Sequence, residues 1–167
     1  VGNPPFKGGK RITSDLGQSY REHLVASIAG AKKGSADLVA YFFLRAKEIS
    51  AGEGCVGLLA TKSIAEGDSR EVGLDQIVDR GATIYAAYPN EPWPGKAAVV
   101  TSRIHFTNQN WSGNRRLLGK EVSFISPYLT AQNDWSPKPL EQNEGRAFQG
   151  SIVLGMGFVL APQDAEL

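Results

Sequence analysis

Residues 55–61, Cys-Val-Gly-Leu-Leu-Ala-Thr, carry no charge and are apolar on both faces, and they lie between two stretches of helical periodicity. Side chains alternate sides along a strand. A strand without polar alternation is therefore covered on both faces, as in the middle of a parallel sheet. Upstream, Leu38, Val39, Phe42, Phe43, Ala46 and Ile49 recur at helical spacing. This predicts a helix over 36–49, capped by Ser35 and ended by Ala51-Gly52-Glu53-Gly54. Downstream, a loop from Lys62 to Asp68 leads to a second helix over 69–80, with Val72, Leu74, Ile77 and Val78 as its apolar set and Gly81 as its stop. Strands follow at 82–88 and 97–106, separated by the proline turn 89–95. The order helix, strand, helix, strand predicts parallel first strands with right-handed crossovers. The last pair, joined by a short turn, is predicted antiparallel. The fold class is α/β.

With 167 residues the chain fits one domain of ordinary size, and 41% hydrophobic with 21% charged residues is globular composition. A net charge of +1 neither announces nor excludes a nucleic-acid partner, since a groove can be basic on a neutral protein. The single cysteine, Cys55, forbids an internal disulfide and reads as a small buried hydrophobe. No apolar run approaches the roughly 20 residues of a membrane span. No basic and apolar leader is present either, so the expectation is a cytoplasmic protein with no membrane partner.

The remaining segments are less regular. Residues 3–13 read as a loop, and 14–29 as helical in their second half, with Tyr20, Leu24 and Ile28 on one face. Residues 107–116 are polar, 121–125 suggest a short strand, 126–147 are irregular, and 150–160 suggest one more strand. An α/β sheet of two parallel strands and one antiparallel strand leaves its edges bare. Val1-Gly2 reads as the end of a further strand, which predicts that the chain is part of a longer one.

Asn3-Pro4-Pro5-Phe6 directly follows that stump. One reading is a proline turn after a strand. The chemical reading is more specific. Two prolines fix two φ angles and remove two backbone donors. The Asn3 amide oxygen and the Pro4 carbonyl can then aim at one point, as paired acceptors for an exocyclic amine. An adenine amine is a poor nucleophile because its lone pair is delocalised into the ring. Acceptors on its two hydrogens favour a more tetrahedral nitrogen, which is stabilisation by preorganised dipoles combined with positioning. Phe6 adds a flat face for a base rotated out of a duplex.

The tetrapeptide resembles motif IV, (D/N)PP(Y/F), of the S-adenosylmethionine-dependent amino-methyltransferases that act on DNA. NPPFKGGKR, YREHLV, ADLVAYFFLRA, GLLATKSIAEGDSREVGLDQIV, GATIYAAYPNEPWPGKAAV and FQGSIVLGMGF together resemble large bacterial DNA methyltransferases of restriction-modification and phage-defence systems, of the MmeI-like kind. The likeness covers most of residues 1–160. It implies the C-terminal half of a Rossmann-like class I methyltransferase sheet, in which 82–88 and 97–106 form an antiparallel closing hairpin. It implies a partial catalytic domain over 1–125, with 126–167 as a linker and the start of a target-recognition region. By the resemblance, Asn3 and Pro4 hold the adenine amine, Pro5 belongs to the same catalytic motif, and Phe6 stacks on the base. Lys7, Lys10 and Arg11 either meet phosphates or form a solvated basic loop. The implied partners are double-stranded DNA and the remainder of the same polypeptide, and the implied cofactor is S-adenosylmethionine.

One departure concerns that cofactor. No Gly-rich turn after a strand precedes Asn3, and Gly155-Met156-Gly157 lies in an apolar stretch without a third glycine at the right distance. The main cofactor site is expected outside these residues, so the isolated chain is expected to be inactive and to bind the cofactor weakly. The segment Thr61–Asp68 follows a strand's carboxyl end, where ligands bind in such sheets, and reads either as a border of the site or as a connecting loop. Trp93 between Pro92 and Pro94 reads as a packed turn or a stacking platform. Asp75 and Asp79, at helical spacing, read as a solvated face. His23, His105 and Cys55 have no ligand spacing, so no metal site is expected. Two rival functions remain: a non-catalytic module binding DNA or protein, and a methyltransferase acting on another amine, an RNA base or a protein glutamine.

Overall fold

The structure is a computed structural model, and it describes residues 1–50, 52, 54–132, 141–143 and 145–146. The chain divides into two units, Val1–Asp134 and Trp135–Leu167. In the second, the described residues hold one 3₁₀ turn, Glu141–Asn143. The expected strand at 150–160 and the Gly155-Met156-Gly157 segment lie outside the described residues.

The first unit is α/β. Its five-stranded sheet has the order β1-β3-β2-β4-β5, with β1 at Cys55–Thr61, β2 at Thr83–Pro92, β3 at Val100–Thr107, β4 at Arg115–Leu117 and β5 at Lys120–Val122. Both β1 and β2 pair antiparallel with β3. They therefore run in the same direction, as expected, but they are not neighbours, because the returning strand of the closing hairpin is inserted between them. Two bulges, between Ile84 and Ala86 and between Tyr88 and Glu91, carry β2 on to Pro92, through the first part of the expected turn.

Helix α3, Leu38–Ile49, lies close to the predicted helix. Its cap is Asp37 rather than Ser35, for Asp37 accepts a hydrogen bond from the Val39 amide. The second predicted helix starts at Gly67. It runs as α4, Gly67–Arg70, a π-helical turn, Glu71–Asp75, and α5, Gln76–Asp79. Lys62–Ala65 forms a 3₁₀ turn with Ile64 buried, so this connection is packed rather than free. Residues 9–13 are helical as well. Helix α1 spans Gly9–Leu16 and α2 spans Gln18–His23, which continues as a π-helical turn through Leu24–Ile28. On that segment Leu24 is buried, Ile28 is half-buried and Tyr20 is exposed.

The core lies between these helices and one face of the sheet. Val39, Phe43 and Leu44 of α3 and Val72, Leu74 and Ile77 of the 67–79 segment meet Ile84, Ala87, Ile104 and Phe106 of the strands, all buried. Register places Val56, Leu58 and Ala60 opposite Phe106, Ile104 and Ser102, on the core face. Cys55, Gly57 and Leu59 then belong to the other face. Cys55 is exposed, contrary to the buried expectation, because it opens the strand on the face away from the helices. On that face Tyr85 stacks on Trp111 at 4.3 Å, and burial together with the Cys55 thiol pushes the Tyr85 hydroxyl up to about 12. No helix among the described residues is long and apolar enough to cross a membrane.

Candidate active site

The segment Asn3–Phe6 is tied down on both sides. Upstream, Gly2 forms a single parallel bridge to Leu58 of β1. Its amide donates to the Gly57 carbonyl at 2.9 Å, and its carbonyl accepts from the Leu59 amide at 3.0 Å. Gly2, read as part of a strand stump, thus makes one parallel bridge to β1. Downstream, the Lys7 amide donates to Asp37 Oδ1 at 3.0 Å, and the Lys7 carbonyl accepts from the Leu38 amide at 2.8 Å. The same Asp37 oxygen accepts from Val39 at 3.0 Å, and the Asp37 amide donates to Ser69 Oγ at 2.9 Å. Asp37 and Ser69 are both buried. Four residues therefore bridge from the edge of the sheet to the first turn of α3.

Parallel pairing fixes which edge this is. The chain leaves the sheet at Asn3 on the side where β1 ends. Thr61 and Glu91 both lie opposite Thr101, so the carboxyl ends of β1 and β2 are level there. In open α/β sheets this edge carries the ligand sites. The turn after β2 brings Trp93 to the same edge, 37% exposed and with its amide donating to the Val99 carbonyl at 3.0 Å.

Within the tetrapeptide, Asn3 and Pro5 are exposed, Pro4 is buried, and Phe6 is half-buried against the core. Beside it opens a groove of ≈ 470 Å³ lined by Phe6, Lys7, Gly8, Gly9, Lys10, Arg11 and Ser35. It gathers Phe6 and the three expected basic residues on one concavity; Asn3, Pro4 and Pro5 are not among its lining. The three cations are not equivalent. Lys7 pairs with Asp15 at 2.5 Å, and hydrogen bonds from Lys7 and Ser14 hold the Asp15 carboxyl below its ordinary value. Lys10 and Arg11 lie on α1, not on a loop, and are exposed without an ion-pair partner among the described residues. Gly9 lets α1 approach this closely, since a Cβ there would stand 2.4 Å from the Ser35 carbonyl.

Other sequence candidates are structural. Asp68 accepts from the Ser35 amide at 2.5 Å and pins the groove wall to α4. Asp75, read as solvated with Asp79, is instead half-buried against Arg70 at 3.2 Å. Burial raises its carboxyl above the ordinary range against the pull of that arginine. The sequence reading missed Asp37 and Ser69. An Asp immediately before the first apolar residue of a helix, Leu38, is the signal that was available for Asp37; Ser69 carries none.

A family model described as the MmeI DNA-methyltransferase domain matches residues 1–117. Among solved structures, the Type IIL restriction-modification enzyme MmeI in complex with DNA matches with a TM-score of 0.68 and 22% identity. The match covers 80% of this chain and 20% of that one, so the chain spans about a fifth of the enzyme's length. Among curated proteins nothing matches.

Proposed function

Because the chain belongs to the family of MmeI DNA-methyltransferase domains, we propose that the protein carrying it methylates the N6 amine of adenine in duplex DNA, as the modification activity of a restriction-modification or phage-defence enzyme. The observation that carries this reading is the double tether of Asn3–Phe6 at the carboxyl edge of the sheet. A short segment held at both ends has a fixed backbone course, and fixed geometry is what positioning catalysis requires.

In this reading Asn3 and the Pro4 carbonyl accept the two amine hydrogens, and Pro5 stiffens the segment. Phe6 offers a stacking face to an extruded base, the usual way an enzyme reaches an atom inside a duplex. Lys10 and Arg11, free of acidic partners among the described residues, meet backbone phosphates more readily than Lys7, which is engaged with Asp15. S-adenosylmethionine supplies the methyl group. The described residues do not by themselves make its cradle, since none of their strands runs through a glycine-rich turn into a helix. The remainder of the same polypeptide provides that site, and residues beyond 125 lead toward target recognition. The isolated chain is accordingly inactive and binds the cofactor weakly.

The test uses labelled methyl transfer by the polypeptide that contains this domain. Duplex DNA, the same duplex lacking adenine, RNA and a glutamine peptide are compared. Transfer to adenine-containing duplex is expected. Asn3→Ala should lower turnover by about 10²–10³-fold, the cost of one lost preorganised dipole, without changing the melting temperature, since Asn3 is exposed. Transfer to RNA or glutamine alone would select the other-amine reading. DNA binding without transfer would select the non-catalytic module.

A further inference from the structure

We propose that Asp37 is a positioning residue, whose single buried oxygen sets the pose of Asn3–Phe6 relative to helix α3. The catalytic consequence rests on the methyltransferase reading above; the hold on the loop does not.

A helix cap needs one acceptor for one amide of the first turn. Asp37 Oδ1 supplies that to Val39 and takes a second donor, the Lys7 amide, from thirty residues earlier in the chain. With Leu38 donating to the Lys7 carbonyl, both backbone polar groups of residue 7 are committed to the helix start. Asp37 is itself fixed from behind, because its amide donates to Ser69 Oγ. The residue is only 8% exposed. A buried charge is tolerated where its hydrogen bonds are made, and the positive end of a helix favours a carboxylate at this position. The arrangement couples three segments, 3–7, 37–39 and the helix beginning at Gly67, through one side chain.

Three variants separate this from plain capping. Asp37→Ser keeps a good cap but is too short to reach Lys7 as well. Asp37→Asn keeps an oxygen at the Oδ1 position. Ser69→Ala loosens Asp37 from behind and leaves both of its acceptor bonds possible. The first readout is amide exchange over residues 4–8 and over α3. In Asp37→Ser, exchange at Lys7 should rise roughly tenfold or more while α3 stays protected, the signature of local opening. Asp37→Asn should restore the wild-type pattern, and Ser69→Ala should fall between. The second readout is methyl transfer by the whole polypeptide. Asp37→Ser should lower kcat roughly tenfold or more with the KM for duplex unchanged, as misplacement does, and Asn should rescue it. Wild-type exchange at Lys7 in Asp37→Ser, or equal loss in the Ser and Asn variants, overturns the proposal. If the wild-type polypeptide transfers no methyl group, the functional reading fails, and the exchange arm alone decides what Asp37 does.

Discussion

Gly8 and Gly9 stand side by side in the chain, yet a methyl group should have opposite consequences at the two. At Gly9 an added Cβ would lie 2.4 Å from both the carbonyl carbon and oxygen of Ser35, and 2.8 Å from the Ala36 oxygen. Those neighbours are backbone, and they cannot retreat. The Ser35 amide is bonded to Asp68 and the Asp37 amide to Ser69. Helix α1 must move instead, at a cost of about 1–3 kcal/mol, the usual range for overpacking. For a chain of this size, each kcal/mol lowers the melting temperature by about 2–4 °C, so Gly9→Ala should melt about 2–12 °C early. At Gly8 a Cβ meets nothing within 4 Å, and φ −56° with ψ 147° suits any residue. Restricting the unfolded chain there contributes about 0.4–1 kcal/mol. Replacing glycine at an N-cap with alanine offsets much of that. Gly8→Ala should therefore melt close to the parent. Thermal unfolding followed by circular dichroism on the three proteins decides the matter. A Gly9→Ala protein that melts with the parent, or a Gly8→Ala protein that falls equally far, would refute the close-approach argument.

Two further outcomes follow from the core and from the far face of the sheet. Phe43 is fully buried and stacks on Phe106 at 6.0 Å; Phe43→Ala should cost about 3–5 kcal/mol by urea denaturation, and a loss below about 1.5 kcal/mol would mean that the helix-to-sheet packing is wrong. The half-buried His105 has its pKa lowered from 6.5, first by burial and then by Arg103. The unfolded chain then takes up a proton at a higher pH than the folded one. Stability should be flat above about pH 6.5 and decline as pH falls through the folded value. Melting temperatures between pH 8 and 5 should show this decline in the parent and a shallower one in His105→Gln; parallel curves would exclude His105 as the source.

Local patterns made α3 and the three main strands legible: apolar residues at helical spacing for α3, and short apolar runs between turn signals for the strands. The antiparallel pairing of β2 with β3 followed from the short turn between them. Choices settled between distant segments were not legible. Ser35 and Asp37 are both good caps, and what distinguishes them is the arrival of Lys7 at one and Asp68 at the other. Two glycines and a lysine at 8–10 look like a loop until Gly9 is seen lying against Ser35. Strand β4 went unread because it is three residues long and pairs with β2 at only Ala86 and Ala87. Its turn to β5 places Leu118 at φ 52° before Gly119 at φ 77°, a position where asparagine would have advertised the hairpin and leucine does not. In the site, the motif carries the proposed chemistry, while the groove and the Asp37–Ser69 support needed the fold.

The insertion of β3 between β1 and β2 also bears on biosynthesis. Synthesis runs from the amino end, so β1 leaves the ribosome well before its antiparallel partner, whose last paired residue is Thr107. During that interval an uncharged, proline-free strand has its hydrogen-bonding side toward β3 unsatisfied, the kind of segment that nascent chains aggregate through. Pairing β2 with β3 closes a much shorter loop than pairing β1 with β3, so the hairpin is the cheaper contact to form. Slow translation between Thr61 and Thr107 prolongs that exposure, and chaperones that shield apolar nascent segments should matter most there.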